Sequence, residues 1–155
     1  MKPEIERIET EDLLEACAAD LAGEKQLAVD MEADSMFHYH EKVCLVQIAT
    51  VHRTFVVDPL AIGHLDPLRP VFADPQILKI FHGADYDIRS LYRDFRVEVQ
   101  NLFDTELACR FLGHEKTGLD AVLKQYFGVE LDKKYQKRDW SARPLSPEMI
   151  ARSEE

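Results

Sequence analysis

Apolar positions recur at two periods and divide the chain into strand-like and helix-like stretches. Leu13, Leu14, Cys17, Ala18 and Leu21 fall at helical spacing behind Thr10, a good N-cap, and Gly23 ends that helix. Strand-like runs follow at Leu27 to Ala33, Val43 to Ala49 and Thr54 to Val57, with spacings short enough for an antiparallel meander. Asp58-Pro59 and Gly63 punctuate the exit, and Leu65 to Phe72 reads as a short helix. Ile77 to Phe81 reads as a buried strand. A helix follows, capped by Asp85 and carrying Ile88, Leu91, Tyr92 and Phe95 on one apolar face. A strand lies within Val97 to Phe103 and a helix over about Thr105 to Leu112. Thr117 is placed to cap a helix with Leu119, Val122, Leu123, Tyr126 and Phe127 on one face. Hairpin-like strands followed by alternating strand and helix predict an α/β fold, a mixed sheet flanked by helices, in one domain over 1–155.

Against that pattern Asp30 and Glu32 stand out. Alternation puts them on one strand face, roughly 6–7 Å apart, with Leu27, Val29 and Met31 on the other. Strand interiors disfavour acids, and two like charges raise each other's pKa. A hard divalent cation would offset that cost. Read alone, the pair also fits a strand whose acids simply face solvent. A second segment, Ile80 to Ile88, ends a buried strand at His82-Gly83 and opens a helix. Ligands collect at the carboxyl ends of strands in α/β sheets, and Asp87 in the first helical turn can face back toward the sheet; read alone, it also fits an acid that only serves the helix dipole. Asp104 ends another strand, where capping the next helix is its expected role.

Charge narrows the partners. The net charge of −10 over 155 residues argues against a duplex binder held by bulk electrostatics, but leaves room for an acidic cleft neutralised by metal. Lys133, Lys134, Lys137, Arg138 and Arg143 are interleaved with Tyr135 and Trp140. They could follow a phosphate backbone and stack on bases, or form a solvated loop. Cys17, Cys44 and Cys109 read as small core residues of a reduced cytoplasmic protein. No run approaches the ~20 apolar residues of a membrane span. His38 and His40, with Glu41 and Cys44, lack the usual structural-zinc spacing and read instead as a loop near a substrate entrance. Gln47 reads as a structural hydrogen-bonding residue.

Taken in order, D-x-E at Asp30 and Glu32, H-G-A-D-Y-D-I at His82 to Ile88, N-L-F-D-T at Asn101 to Thr105 and D-W-S-A-R-P-L from Asp139 to Leu145 resemble the ribonuclease D group of DEDD-type 3′–5′ exonucleases. The resemblance spans about residues 25 to 150. It implies an RNase H-like mixed sheet, antiparallel in its first three strands and parallel thereafter, flanked by helices. It also implies Mg²⁺ or Mn²⁺ at a two-ion site held by Asp30, Glu32 and Asp87, which are the catalytic residues, with Met31 and His82 contacting nucleic acid. The implied substrate is single-stranded RNA or RNA 3′ ends, with DNA as the alternative, and the products are nucleoside 5′-monophosphates.

The family's third motif is Tyr-x-x-x-Asp on a C-terminal helix. Its tyrosine falls near position 152, where this chain has Arg152, and its aspartate falls at about 156. The expectation is a missing C-terminal helix and weak or absent hydrolysis. It includes an uncovered apolar face at Phe127, Tyr135, Trp140, Leu145 and Ile150 through which copies could self-associate. The alternative function is a catalytically impaired nucleic-acid-binding or interaction domain.

Overall fold

The computed structural model describes residues 4–131 and 138–153. Strand β1 (Glu4–Ile8) leads into α1 (Glu11–Leu21), capped by Thr10, whose side chain accepts from the Leu13 N–H. The meander follows as β2 (Gln26–Ala33), β3 (Val43–Ala49) and β4 (Arg53–Val57). Next come α2 (Pro59–Ile62), a 3₁₀ turn (Asp66–Leu68), α3 (Arg69–Ala73), β5 (Leu78–Phe81), α4 (Ala84–Phe95), β6 (Leu102–Asp104), α5 (Thr105–Phe111), α6 (Leu119–Phe127) and α7 (Pro147–Ser153).

The sheet order is β1-β4-β3-β2-β5-β6. β2–β3 and β3–β4 pair antiparallel, while β2–β5, β5–β6 and β1–β4 pair parallel. The expected mixed sheet is therefore present. Strand β1 is an addition. Its exposed Glu4 and Arg7 give no apolar alternation, and tertiary pairing with β4 recruits it as an edge. The salt bridge of Arg53 to Glu6 joins the two strands.

Two cores form, one on each side of the sheet. The larger packs Leu14, Cys17 and Leu21 of α1, Val71 and Phe72 of α3, and Ala84 and Leu91 of α4 against Leu27, Val29, Ile48, Phe55 and Phe81. The smaller gathers Trp140, Leu145 and Met149 over Cys44, Leu45 and Val56. Between β2 and β3, Glu32 faces Leu45 but Ala33 faces Val43, so Cys44 is the extra residue of a β-bulge. Burying one aromatic the size of Trp140 removes ~150–250 Å² from water, about 4–6 kcal/mol at ~25 cal/mol per Å².

This second core revises the expected exposed face. Trp140 and Leu145 are buried, Ile150 packs partly against them, and Phe127 is exposed, while Tyr135 lies outside the described residues. The expectation of a missing C-terminal helix is revised too. Pro147 sits at the start of α7, where its missing N–H costs nothing, and the Met149 N–H reaches Ser146 Oγ (3.3 Å). The open apolar surface instead lies along the β6 edge and α5, at Leu102, Phe103, Leu107, Phe111 and Leu112.

Candidate active site

Register explains how distant acids meet. Ala28 of β2 is level with Ile80 of β5 in a parallel pair, so the end of β5 lies beside Asp30 and α4 begins there. Asp30 and Glu32 lie on the face opposite the larger core, level with Gln47 and Leu45 of β3. Asp30 is exposed and its Oδ1 accepts from the Met31 N–H (2.9 Å), while Glu32 is half-buried.

Asp87 occupies the first turn of α4 and is half-buried. Burial, then the nearby charges of Asp30 and Asp104, push its carboxyl up to about 7. The neighbouring cap behaves in the opposite way. Burial pulls Asp104 upward, but four backbone N–H groups, of Gly83, Ala84, Leu107 and Glu106, outweigh it and hold the carboxyl below its ordinary value. Asp30, Glu32 and Asp87 are hard oxygen donors, the ligand type that suits Mg²⁺ or Mn²⁺ better than a soft metal. Among the described residues, no three acidic, histidine or cysteine side chains are already drawn close enough to hold an ion.

Several expected contributors sit elsewhere. Met31 turns its side chain to the opposite face and packs against the larger core, as alternation requires. His82 has both ring nitrogens engaged: Nε2 donates to the Thr117 carbonyl (2.8 Å) and Nδ1 meets Thr105 Oγ1 (2.8 Å). It ties β5, α5 and the segment before α6 together. Asp85 does not cap α4. It is exposed and pairs with Arg89 one turn on, while Gly83 takes the N-cap position. Gly118 likewise caps α6, and Thr117 donates to Glu106 Oε1 (2.7 Å) instead.

The loop after Glu32 is held at its base. Asp34 Oδ1 accepts from the Lys42 N–H (2.7 Å), His38 meets Ser141 Oγ (3.1 Å), and Glu41 accepts from Tyr86 (2.9 Å) and Arg93 (2.8 Å) of α4. His38, His40, Glu41 and Cys44 do not assemble a metal cluster. All three cysteines are buried free thiols, and burial pushes Cys17 and Cys44 up to about 12.

Arg143, counted among the basic residues facing phosphate, is spent internally. Its N–H groups reach Asp58 Oδ2 (2.8 Å) and Oδ1 (2.9 Å), and the carbonyls of Cys44 (3.0 Å), Trp140 (2.7 Å) and Ala142 (2.9 Å). Trp140 is equally unavailable for stacking. Lys133, Lys134, Lys137 and Tyr135 lie outside the described residues. The roles of Asp58 and Arg143 went unread because the signal, Asp58-Pro59 and Arg143-Pro144, marks two turns without saying that they meet.

A family model described as 3′-5′ exonuclease matches residues 5–152. The chain belongs to the 3′-5′ exonuclease family. It is 44% identical over 144 residues to the exosome complex component 10 homolog of Caenorhabditis elegans, covering 92% of this chain and 16% of that protein. It is 40% identical over 145 residues to the exosome complex exonuclease RRP6 of Saccharomyces cerevisiae, covering 93% and 20%. Among solved structures it is similar to the catalytic core of RRP6 from Trypanosoma brucei, at a TM-score of 0.87 and 36% identity over 97% of this chain and 42% of that one. Escherichia coli RNase D, an exoribonuclease, superposes at a TM-score of 0.88 with 28% identity, over 99% and 40%. The 3′-5′ exonuclease chain described here thus spans about a fifth or less of these curated relatives' length. Exonucleases of the family generally use divalent metal ions.

Proposed function

We propose that this chain is a Mg²⁺- or Mn²⁺-dependent 3′-5′ exonuclease domain that acts on single-stranded RNA 3′ ends and releases nucleoside 5′-monophosphates. The observation that carries the reading is the parallel register of β2 and β5, which sets Asp30 beside the end of β5 where α4 begins with Asp87 in its first turn, near enough that the charge of Asp30 helps raise the Asp87 carboxyl. Asp30, Glu32 and Asp87 would hold the ions. Bound there, divalent metal supplies an activated water and neutralises charge on the phosphate. The chain's own part is to supply hard oxygen donors from two elements, Asp30 and Glu32 from β2 and Asp87 from the first turn of α4. The exosome and RNase D relatives favour RNA over DNA as substrate.

Arg152 stands where the resemblance puts the water-orienting tyrosine, and this favours a second reading: a domain that binds RNA ends but hydrolyses them weakly. Incubation of 5′-labelled single-stranded RNA with Mg²⁺ separates the two. Stepwise shortening from the 3′ end, abolished by Asp30→Asn, supports the enzyme. Binding without shortening supports the second reading, and neither binding nor shortening refutes both.

A further inference from the structure

The carboxylate of Asp104 does more than cap its own helix. Its Oδ1 accepts from the N–H groups of Glu106 (2.9 Å) and Leu107 (3.2 Å) at the start of α5. The same oxygen accepts from the Gly83 N–H (2.9 Å), and Oδ2 from the Ala84 N–H (2.8 Å). Gly83 and Ala84 open α4, which has no side-chain cap of its own. One carboxylate, 20 and 21 residues away in sequence, therefore closes the N-termini of two helices. Gly83 makes this geometry accessible. At φ 79°, ψ 54° it is in the left-handed region, where successive N–H groups can turn toward one anion. Both helix dipoles then favour the negative charge.

The location matters as much as the bonds. Asp87 lies three residues beyond Ala84, in the turn that Asp104 secures. Elsewhere α4 is held by apolar contacts of Ala84, Leu91 and partly buried Ile88 with the larger core, and by side-chain bonds of Tyr86 and Arg93 to Glu41 and of Asp94 to the Val43 N–H (2.9 Å). Among the described residues, only Asp104 bonds the backbone N–H groups that open its first turn. We propose that Asp104 is a positioning residue for the hydrolytic site: by tying the first turn of α4 to the start of α5, it holds Asp87 in register with Asp30 and Glu32. This inference rests on the exonuclease reading above. Asp104 acts in this proposal through the backbone, its two oxygens accepting from four N–H groups.

The test separates the tie from ordinary capping. In the full chain, Asp104→Ser keeps a good N-cap for α5 but is too short to bridge to Gly83 and Ala84, while Asp104→Asn keeps an oxygen in the Oδ1 place for Gly83, Glu106 and Leu107 and loses only the acceptor for the Ala84 N–H. Leu14→Ala, in the core under α1, serves as a variant destabilised without touching the site. Mn²⁺ affinity by calorimetry, hydrogen exchange at Gly83 and Ala84, and kcat and KM on single-stranded RNA are measured for each. The expected result for Asp104→Ser is faster exchange at both amides and Mn²⁺ affinity weakened by about 10–100-fold, the usual effect of losing a residue that orients a ligand. Its kcat falls while KM is little changed, Asp104→Asn is intermediate between Asp104→Ser and wild type, and Leu14→Ala leaves Mn²⁺ affinity unchanged. Faster exchange in Asp104→Ser with wild-type Mn²⁺ affinity overturns the positioning role and leaves the exonuclease reading intact. A wild-type chain that binds no Mn²⁺ overturns that reading and this inference together.

Discussion

Replacing Arg143 by alanine tests how the 138–150 segment is held to the sheet. The guanidinium makes five hydrogen bonds, two of them charge-assisted to Asp58, whose side chain is only 6% exposed. Removing one partner of a buried pair costs about 3–5 kcal/mol, because the other charge stays buried. Asp58 keeps its bonds to the Leu60 and Ala61 N–H groups, and Arg143 is 28% exposed, so the low end, about 3 kcal/mol, applies. At a urea m-value of ~2 kcal/mol/M this moves the midpoint down by about 1.5 M. Arg143→Lys loses less than Arg143→Ala but does not restore the wild type, since an ammonium cannot reproduce the planar fork. The chain carries its own probe: its single tryptophan, Trp140, is buried in this segment. Urea titration followed by tryptophan fluorescence then reads undocking directly, as a red-shifted emission even before denaturant is added. An unshifted emission together with a midpoint within about 0.3 M of wild type, ~0.5 kcal/mol, would refute the reasoning.

Two further outcomes follow from the site. Asp87 has a folded-state pKa of about 7, above its ordinary value, so between the two the folded state binds more protons than the unfolded one and stability falls as pH rises. In EDTA, Asp87→Asn therefore melts higher than wild type at pH 8, with the gap narrowing below pH 7 and closing only as pH approaches about 4, whereas Mn²⁺ raises the wild-type melting temperature more than the variant's; a pH-independent gap would contradict the assignment. His82→Ala leaves the Thr117 carbonyl without its His82 partner, while the Thr105 hydroxyl keeps its bond to the Phe81 carbonyl (3.0 Å), and should cost about 1–3 kcal/mol by urea denaturation. Its RNA affinity, measured where the variant is folded, should stay at the wild-type level, and a specific loss of binding would return His82 to the substrate site.

Much of the fold was legible because its signals are local. The periods of α1, α4 and α6, the meander and the strand ends are written in neighbouring residues, and so was the shared face of Asp30 and Glu32. Strand β1 was not, because an edge strand carries no alternation until it meets β4. Asp85 and Thr117 looked like caps because capping chemistry reads residue type. The competing partners, Arg89 for one and Glu106 for the other, appear only in space.

What the sequence determined by itself was the set of acids, their strand-end and helix-start positions, and the family pattern in which they fall. What tertiary structure alone decided was which side chains are free to act. It committed Arg143 to Asp58, His82 to two threonines and Trp140 to a second core, and it brought Asp104 to the start of α4. The physical reason is that hydrogen-bond satisfaction and burial are properties of neighbours across the fold. A basic, aromatic or histidine residue reads the same in sequence whether its donors face solvent or are already used.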